Sequence, residues 1–285
     1  MAENASPPFS VSEFTTMPWT FEQDLDHYRR LDVPALEVCE IKLSGPEYGA
    51  HLEQIDAAGL QISSVQPVVR TLYPSQSQPE PKDLTQRMER FRETIHRFGR
   101  WAHGVPFVTN TGIPPNGNMA ETIRTAGTRY RELSEFAADH GATVALEPLN
   151  PSIQNIETAI WLLGQGMRIV EEVDRPNFGL CVDFWNVFQN PDVEGAIRGA
   201  GEKILIVQVS DWQTPRSYAD RHIVGQGEIP FVPLLRATRE AGYRGYYELE
   251  IFSDGVSDSL WSGDMEQVIT ESRQALNAFW AQALR

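Results

Sequence analysis

The chain has 285 residues, 41% of them hydrophobic and 22% charged, the balance of a globular protein with a sizeable core rather than a disordered one. Its 39 acidic side chains against 24 basic ones give a formal net charge of −15 and a pI near 4.8, so nucleic acid and anionic membranes are not expected as partners. This length suits one α/β barrel and does not call for a second domain, so 1–285 is read as a single unit.

Short apolar runs alternate with amphipathic ones along the whole chain, with no low-complexity linker and no sequence repeat. The predicted strands are 9–14, 35–41, 61–66, 105–110, 143–150, 178–183, 204–211 and 246–252. The predicted helices fill the gaps at 21–31, 45–58, 83–103, 119–140, 156–173, 193–200, 230–241 and 264–284. Gly141 and Gly242 follow two of these helical patterns and read as C-terminal stops. Eight strands in this alternation predict a single closed (β/α)8 TIM barrel. The Pro-, Ser- and Gln-rich connection 71–81 reads as a mobile loop on the active face, or as a long surface loop only.

The two cysteines, Cys39 and Cys181, fall inside predicted strands, where a small thiol packs as a hydrophobe, so no disulfide framework or zinc motif follows. The N-terminal residues lack the basic and apolar regions of a signal peptide, and no run approaches a membrane span; a cytoplasmic protein is expected.

Four oxygen-bearing side chains lie near the ends of the last four strands: Glu147, Asp183, Gln208 and Glu250. They are 36, 25 and 42 residues apart, each spacing long enough for a strand, a loop and a crossover helix. Adjacent parallel strands would bring all four to the mouth of the barrel. Carboxylates with an amide oxygen suit Mn²⁺ or Mg²⁺ best, with Co²⁺, Fe²⁺ or Zn²⁺ also admissible. Any one of these residues alone reads equally as a surface group or a helix cap.

The stretches Ala145-Leu-Glu-Pro-Leu-Asn150, Val182-Asp183, Val207-Gln-Val-Ser-Asp211, Arg221-His222 through Gly227-Glu228, and Gly245 through Phe252 together resemble the xylose-isomerase-like barrel family. That family includes sugar isomerases, ketose 3-epimerases, hydroxypyruvate isomerases and related dehydratases. The resemblance implies that Glu147, Asp183, Gln208 and Glu250 hold the metal; as carboxylates on opposite sides of a bound substrate, Glu147 and Glu250 are the expected base and conjugate acid. The resemblance also places His222, Arg221, Asn150, Glu37 and Trp185 near the substrate. Gln208 is similar to the hydroxypyruvate-isomerase-like and dehydroshikimate-dehydratase-like branches, where many other members carry His. Asn186 stands where many members have a substrate-touching His, which departs from the epimerase pattern.

The expected partner is a small sugar or keto-polyol, and the expected activity is isomerisation or epimerisation through proton transfer beside a metal-chelated carbonyl. A lyase of the inosose, dehydroshikimate or keto-glycoside type is the alternative, and a non-catalytic sugar-binding barrel the third reading. Arg70, Arg216 and Arg221 are the cations available to the candidate site, without a Gly-rich phosphate loop, so an unphosphorylated substrate is expected. Trp185, Trp212 and Trp261 are candidates for apolar walls. A dimer or tetramer is expected by analogy alone.

Overall fold

A computed structural model describes residues 6–43, 45–214, 217 and 219–285; the sequence candidate Arg216 lies outside them. Eight parallel strands close into one barrel in chain order: β1 (Phe9–Ser12), β2 (Ala35–Cys39), β3 (Gln61–Gln66), β4 (Pro106–Thr109), β5 (Thr143–Leu146), β6 (Phe178–Asp183), β7 (Ile204–Val209) and β8 (Tyr247–Leu249). The architecture is a single TIM barrel, as the alternation of runs predicts.

The outer helices are α1 (Phe21–Arg30), α2 (Tyr48–Ala57), α3 (Leu84–Phe98), α4 (Met119–Asp139), α5 (Leu163–Val173), then a one-turn α6 (Phe184–Val187), α7 (Val193–Ala200), α8 (Phe231–Glu240) and α9 (Met265–Ala283). Side-chain caps set several starts. Thr20 and Gln23 form a capping box on α1, and Asp83, Asn118 and Asp264 accept from backbone N–H groups three residues on. Gly141 and Gly242 both take positive φ after helix ends, the stop their positions predict.

Three helical expectations are corrected. The segment 156–173 becomes helical only at Leu163, because Glu157 is drawn to Ser77 and Thr158 bonds to Thr111 and to the Ile160 carbonyl, which holds 156–162 as a loop. The segment 83–103 breaks after Phe98, where Gly99 takes φ +53°, and ends in a 3-10 turn. The first turn of 45–58 is likewise 3-10, with α2 beginning at Tyr48. Unforeseen α6 forms because the Asp183 carboxylate accepts from the Trp185 N–H at 2.9 Å.

The main apolar core lies between the helices and the outside of the barrel, with Phe91, Phe98, Phe107, Tyr130, Phe178 and Tyr247 fully buried. The barrel interior is divided. Val108, Ala145, Cys181 and Ile206 form an apolar patch on β4 to β7, and buried Ser10, Glu37, Ser64 and Glu248 line the other side. Both cysteines are buried and free. No helix among the described residues is long and apolar enough to cross a membrane.

The connection 71–81 does reach the mouth, but it is anchored there rather than loose. Fully buried Arg87 on α3 donates from Nε to the Thr71 carbonyl at 2.7 Å and from Nη1 to the carbonyls of Pro81 at 2.8 Å and Gln78 at 3.2 Å, with a further short bond to the Thr71 hydroxyl. A guanidinium has five donors in a fixed fork, so it can tie several loop carbonyls at once.

Close strand packing makes one glycine on β6 indispensable. A Cβ at Gly179 would sit 2.2 Å from the Lys203 carbonyl oxygen and 2.9 Å from Leu205 Cγ. Gly179→Ala is expected to lower stability by at least about 2 kcal/mol in urea denaturation; an unchanged midpoint would show that β6 and the segment entering β7 can separate freely.

Candidate functional site

Ligating oxygens of Glu147, Asp183 and Glu250 all lie within 4.8 Å of one another, and all three residues are buried. Their position follows from the strands. Glu147 directly follows β5, Asp183 ends β6 and Glu250 directly follows β8, so each carboxylate is delivered at a strand's C-terminal end, the face on which barrels of this kind build their sites.

Gln208 differs for a reason of register. It lies within β7, paired with Asp183 on one side and Glu248 on the other. Its amide is engaged by both neighbouring strands: Nε2 donates to Glu248 Oε1 at 3.1 Å, and Oε1 accepts from the Cys181 thiol at 3.2 Å. Three of the four expected ligands are carboxylates that meet directly, and Gln208 is the register partner of one of them, Asp183.

Arg221 stands among the carboxylates. Its Nη2 is 2.9 Å from Asp183 Oδ2 and its Nη1 is 2.8 Å from Glu250 Oε2, with Nη1 also 3.2 Å from the Glu250 carbonyl. The rings of Trp185 and Phe252 lie on the guanidinium, each centroid 5.0 Å from Cζ. Asn186 Nδ2 donates to both Glu147 Oε1 (2.8 Å) and Asp183 Oδ2 (2.7 Å), and Asn110 Nδ2 donates to Glu147 Oε2 at 2.9 Å. The Asn186 departure thus becomes a bridge that fixes two carboxylates relative to each other.

One guanidinium does not balance three buried carboxylates. Burial, reinforced by the Asp183 charge, pushes the Glu147 carboxyl up to about 7, against the Asn110 hydrogen bond and the charges of Arg221 and Arg70. Burial raises Asp183 despite Arg221, and raises Glu250 well above the usual carboxylate range despite the same partner. All three shifts come first from burial, and the one guanidinium among them leaves a shortage of positive charge. A hard divalent cation fits that shortage and this all-oxygen set, and the Gln208 oxygen, which accepts only from a weak thiol donor, fits as a further ligand.

The cleft above holds about 820 Å³ counting its open mouth, and its wall includes Glu147, Glu250, Arg221, Asn186, Asn110, Arg70, Gln66, Glu157, Asp254, Phe14, Phe252 and Trp261. Of the residues expected near a substrate, Arg221 reaches this wall and four others do not. His222 follows Arg221 in a segment paired antiparallel with Asp211, so alternation turns it away from the cleft. Asn150 ties the loops together, its N–H donating to Asn186 Oδ1 and its Nδ2 to the Trp185 carbonyl. Trp185 is fully buried beneath Arg221. Glu37 faces the barrel interior and accepts from Ser64 at 2.9 Å. Trp212 packs on Phe188, and of the three candidate tryptophans only Trp261 lines the cleft.

Glu248 was not singled out by sequence. It accepts from Ser63, Ser64 and Gln208 inside the barrel. The signal was present in the two-residue spacing to Glu250, which in an extended segment turns both side chains the same way. Asn110 carried no comparable mark, since its role depends on β5 lying next to β4.

Comparison with known proteins agrees with the architecture. The L-ribulose 3-epimerase of Methylomonas sp. (strain DH-1) is 27% identical over 156 residues, 54% of this chain and 51% of that one. An inosose isomerase of Halalkalibacterium halodurans is 30% identical over 153 residues, 52% of this chain and 51% of its own. The matched segments thus span about half the length of these curated relatives. A crystal structure of the IOLI protein with a bound zinc atom superposes with a TM-score of 0.79 at 20% identity, covering 96% of this chain and 98% of that one, a likeness of fold. Residues 33–279 match the family model of the xylose isomerase-like TIM barrel, and with a match of that extent the chain belongs to that family.

Proposed function

We propose that this protein is a divalent-metal-dependent isomerase or epimerase that moves a proton at the carbon beside the carbonyl of a small sugar or hydroxy-keto acid. The observation that carries this reading is that Glu147 and Glu250 belong to one buried carboxylate cluster and both line the same cleft. They come from strands three places apart around the barrel, so a small molecule seated between them meets one carboxylate on each side.

Glu147, Asp183, Glu250 and Gln208 would hold the ion. When bound, it polarises the substrate carbonyl and makes the adjacent C–H more acidic. Glu147, fixed by Asn110 and Asn186, takes the proton from one face; Glu250, aligned by Arg221, supplies one to the other. Phe14, Phe252 and Trp261 line the cleft with apolar surface suited to a sugar's C–H face. The names of the relatives, an epimerase and an isomerase, support the same chemistry.

The test is proton exchange in D₂O, followed by NMR with added Mn²⁺ and a panel of ketoses, hydroxypyruvate and keto-cyclitols. Deuterium is expected at a single carbon. Glu147→Gln and Glu250→Gln should each slow exchange by at least about 100-fold; full activity in both variants would sink the proposal. A conjugated, ultraviolet-absorbing product without exchange back into substrate would replace it with a lyase.

Arg221 provides an independent check through stability. Arg221→Met strips the cation from Asp183 and Glu250 and should destabilise the metal-free protein by about 3–5 kcal/mol. Added Mn²⁺ should recover most of that loss in thermal denaturation. No recovery would mean the cluster does not take the ion.

A further inference from the structure

Arg70 has a fixed backbone and a free head. Its carbonyl accepts from the Asn110 N–H at 3.0 Å and the Thr109 hydroxyl at 2.7 Å, and its own N–H donates to Gln78 Oε1 at 3.1 Å. Its guanidinium forms no hydrogen bond or ion pair with any described residue; it rests near the Phe14 ring, 5.6 Å from Cζ to centroid, and its charge reaches Glu147 without contact. Arg30, Arg175, Arg198 and Arg221 are paired with carboxylates, whereas Arg70, like the exposed Arg29, Arg124 and Arg168, has no carboxylate partner among the described residues. The free guanidinium is on the wall of the cleft that holds Glu147 and Glu250.

Two other wall residues have polar atoms without partners. Gln66 is 4% exposed, and its Oε1 has no hydrogen-bond partner. The indole N–H of Trp261 is also buried and unmatched. Buried polar groups are normally satisfied, and several unsatisfied ones around a single cleft are groups that a ligand completes. Arg70 and Trp261 are donors only, and a half-turn of the Gln66 amide exchanges its oxygen for its NH₂, so the set can present donors throughout.

We propose that Arg70, with Gln66 and the Trp261 indole, binds a carboxylate of the substrate, which makes the molecule turned over a hydroxy-keto acid or sugar acid rather than a neutral sugar. This rests on the proton-transfer reading only for placing the reacting carbon at Glu147 and Glu250. A guanidinium fork matches a planar monoanion with two parallel hydrogen bonds. A phosphate dianion fits less well, because Glu157 and Asp254 share the wall and repel added negative charge.

The probes are D-xylonate, xylitol and xylitol 5-phosphate, which carry a carboxylate, a hydroxymethyl group and a phosphate on matched five-carbon chains. Binding is measured by titration calorimetry with Mn²⁺ and again after chelation. The wild-type protein should bind xylonate about tenfold or more tighter than xylitol in both conditions, and Arg70→Gln should bring the two within about twofold while leaving xylitol affinity in place. Arg70→Lys should keep part of the preference, and added salt should weaken it. Equal binding in the wild type, a preference that survives Arg70→Gln, or loss of both ligands in that variant would overturn the proposal. Tighter binding of xylitol 5-phosphate would overturn the choice of a carboxylate. Because no turnover is read, absence of proton exchange leaves this result standing, and absence of a carboxylate preference leaves the proton-transfer reading standing.

Discussion

Three carboxylates buried within 4.8 Å of one another are the feature around which the mouth of this barrel is arranged. Taking such groups out of water is costly, and their mutual repulsion adds to the cost. Arg221 offsets part of it by reaching two of the three, and the aromatic rings of Trp185 and Phe252 keep that guanidinium in place. Asn110 and Asn186 supply donors to the third. The remaining imbalance is what makes the site an acceptor of positive charge.

The barrel interior carries the same problem without a guanidinium. Glu37 and Glu248 are fully buried, and burial, with their mutual charge, raises Glu37 well above the ordinary carboxylate range. Glu248 is raised by burial but held back by Ser63, Ser64 and Gln208. Gln208 has its NH₂ turned to Glu248 and its oxygen left with a thiol. An acidic interior of this kind is tolerable because hydroxyls and amides satisfy most of its oxygens.

Strands were readable because a parallel strand buried on both faces is a short apolar run, and all eight runs became strands, though several ended one to four residues early. Those early endings carry meaning: Glu147 and Glu250 lie just outside their strands, free to turn into the mouth, while Gln208 remains inside its own. The helix expected over 156–173 failed at its start because propensity cannot register a side chain such as Glu157 that bonds to Ser77, 80 residues away. Of the residues expected near a substrate, Asn150 bonds through its side chain to the Trp185 carbonyl and Trp185 packs beneath Arg221.

By itself the sequence determined the barrel, its eight-strand order and the carboxylates at the strand ends, because those depend on apolar period and on residue type at a strand terminus. Tertiary structure alone decided that Arg221 sits between Asp183 and Glu250, that Asn186 bridges Glu147 and Asp183, that Gln208 bonds to Glu248, and that Arg70 faces the cleft unpaired. Each of those facts is a distance between groups on different strands or loops, and closure of the barrel sets such distances where local pattern cannot.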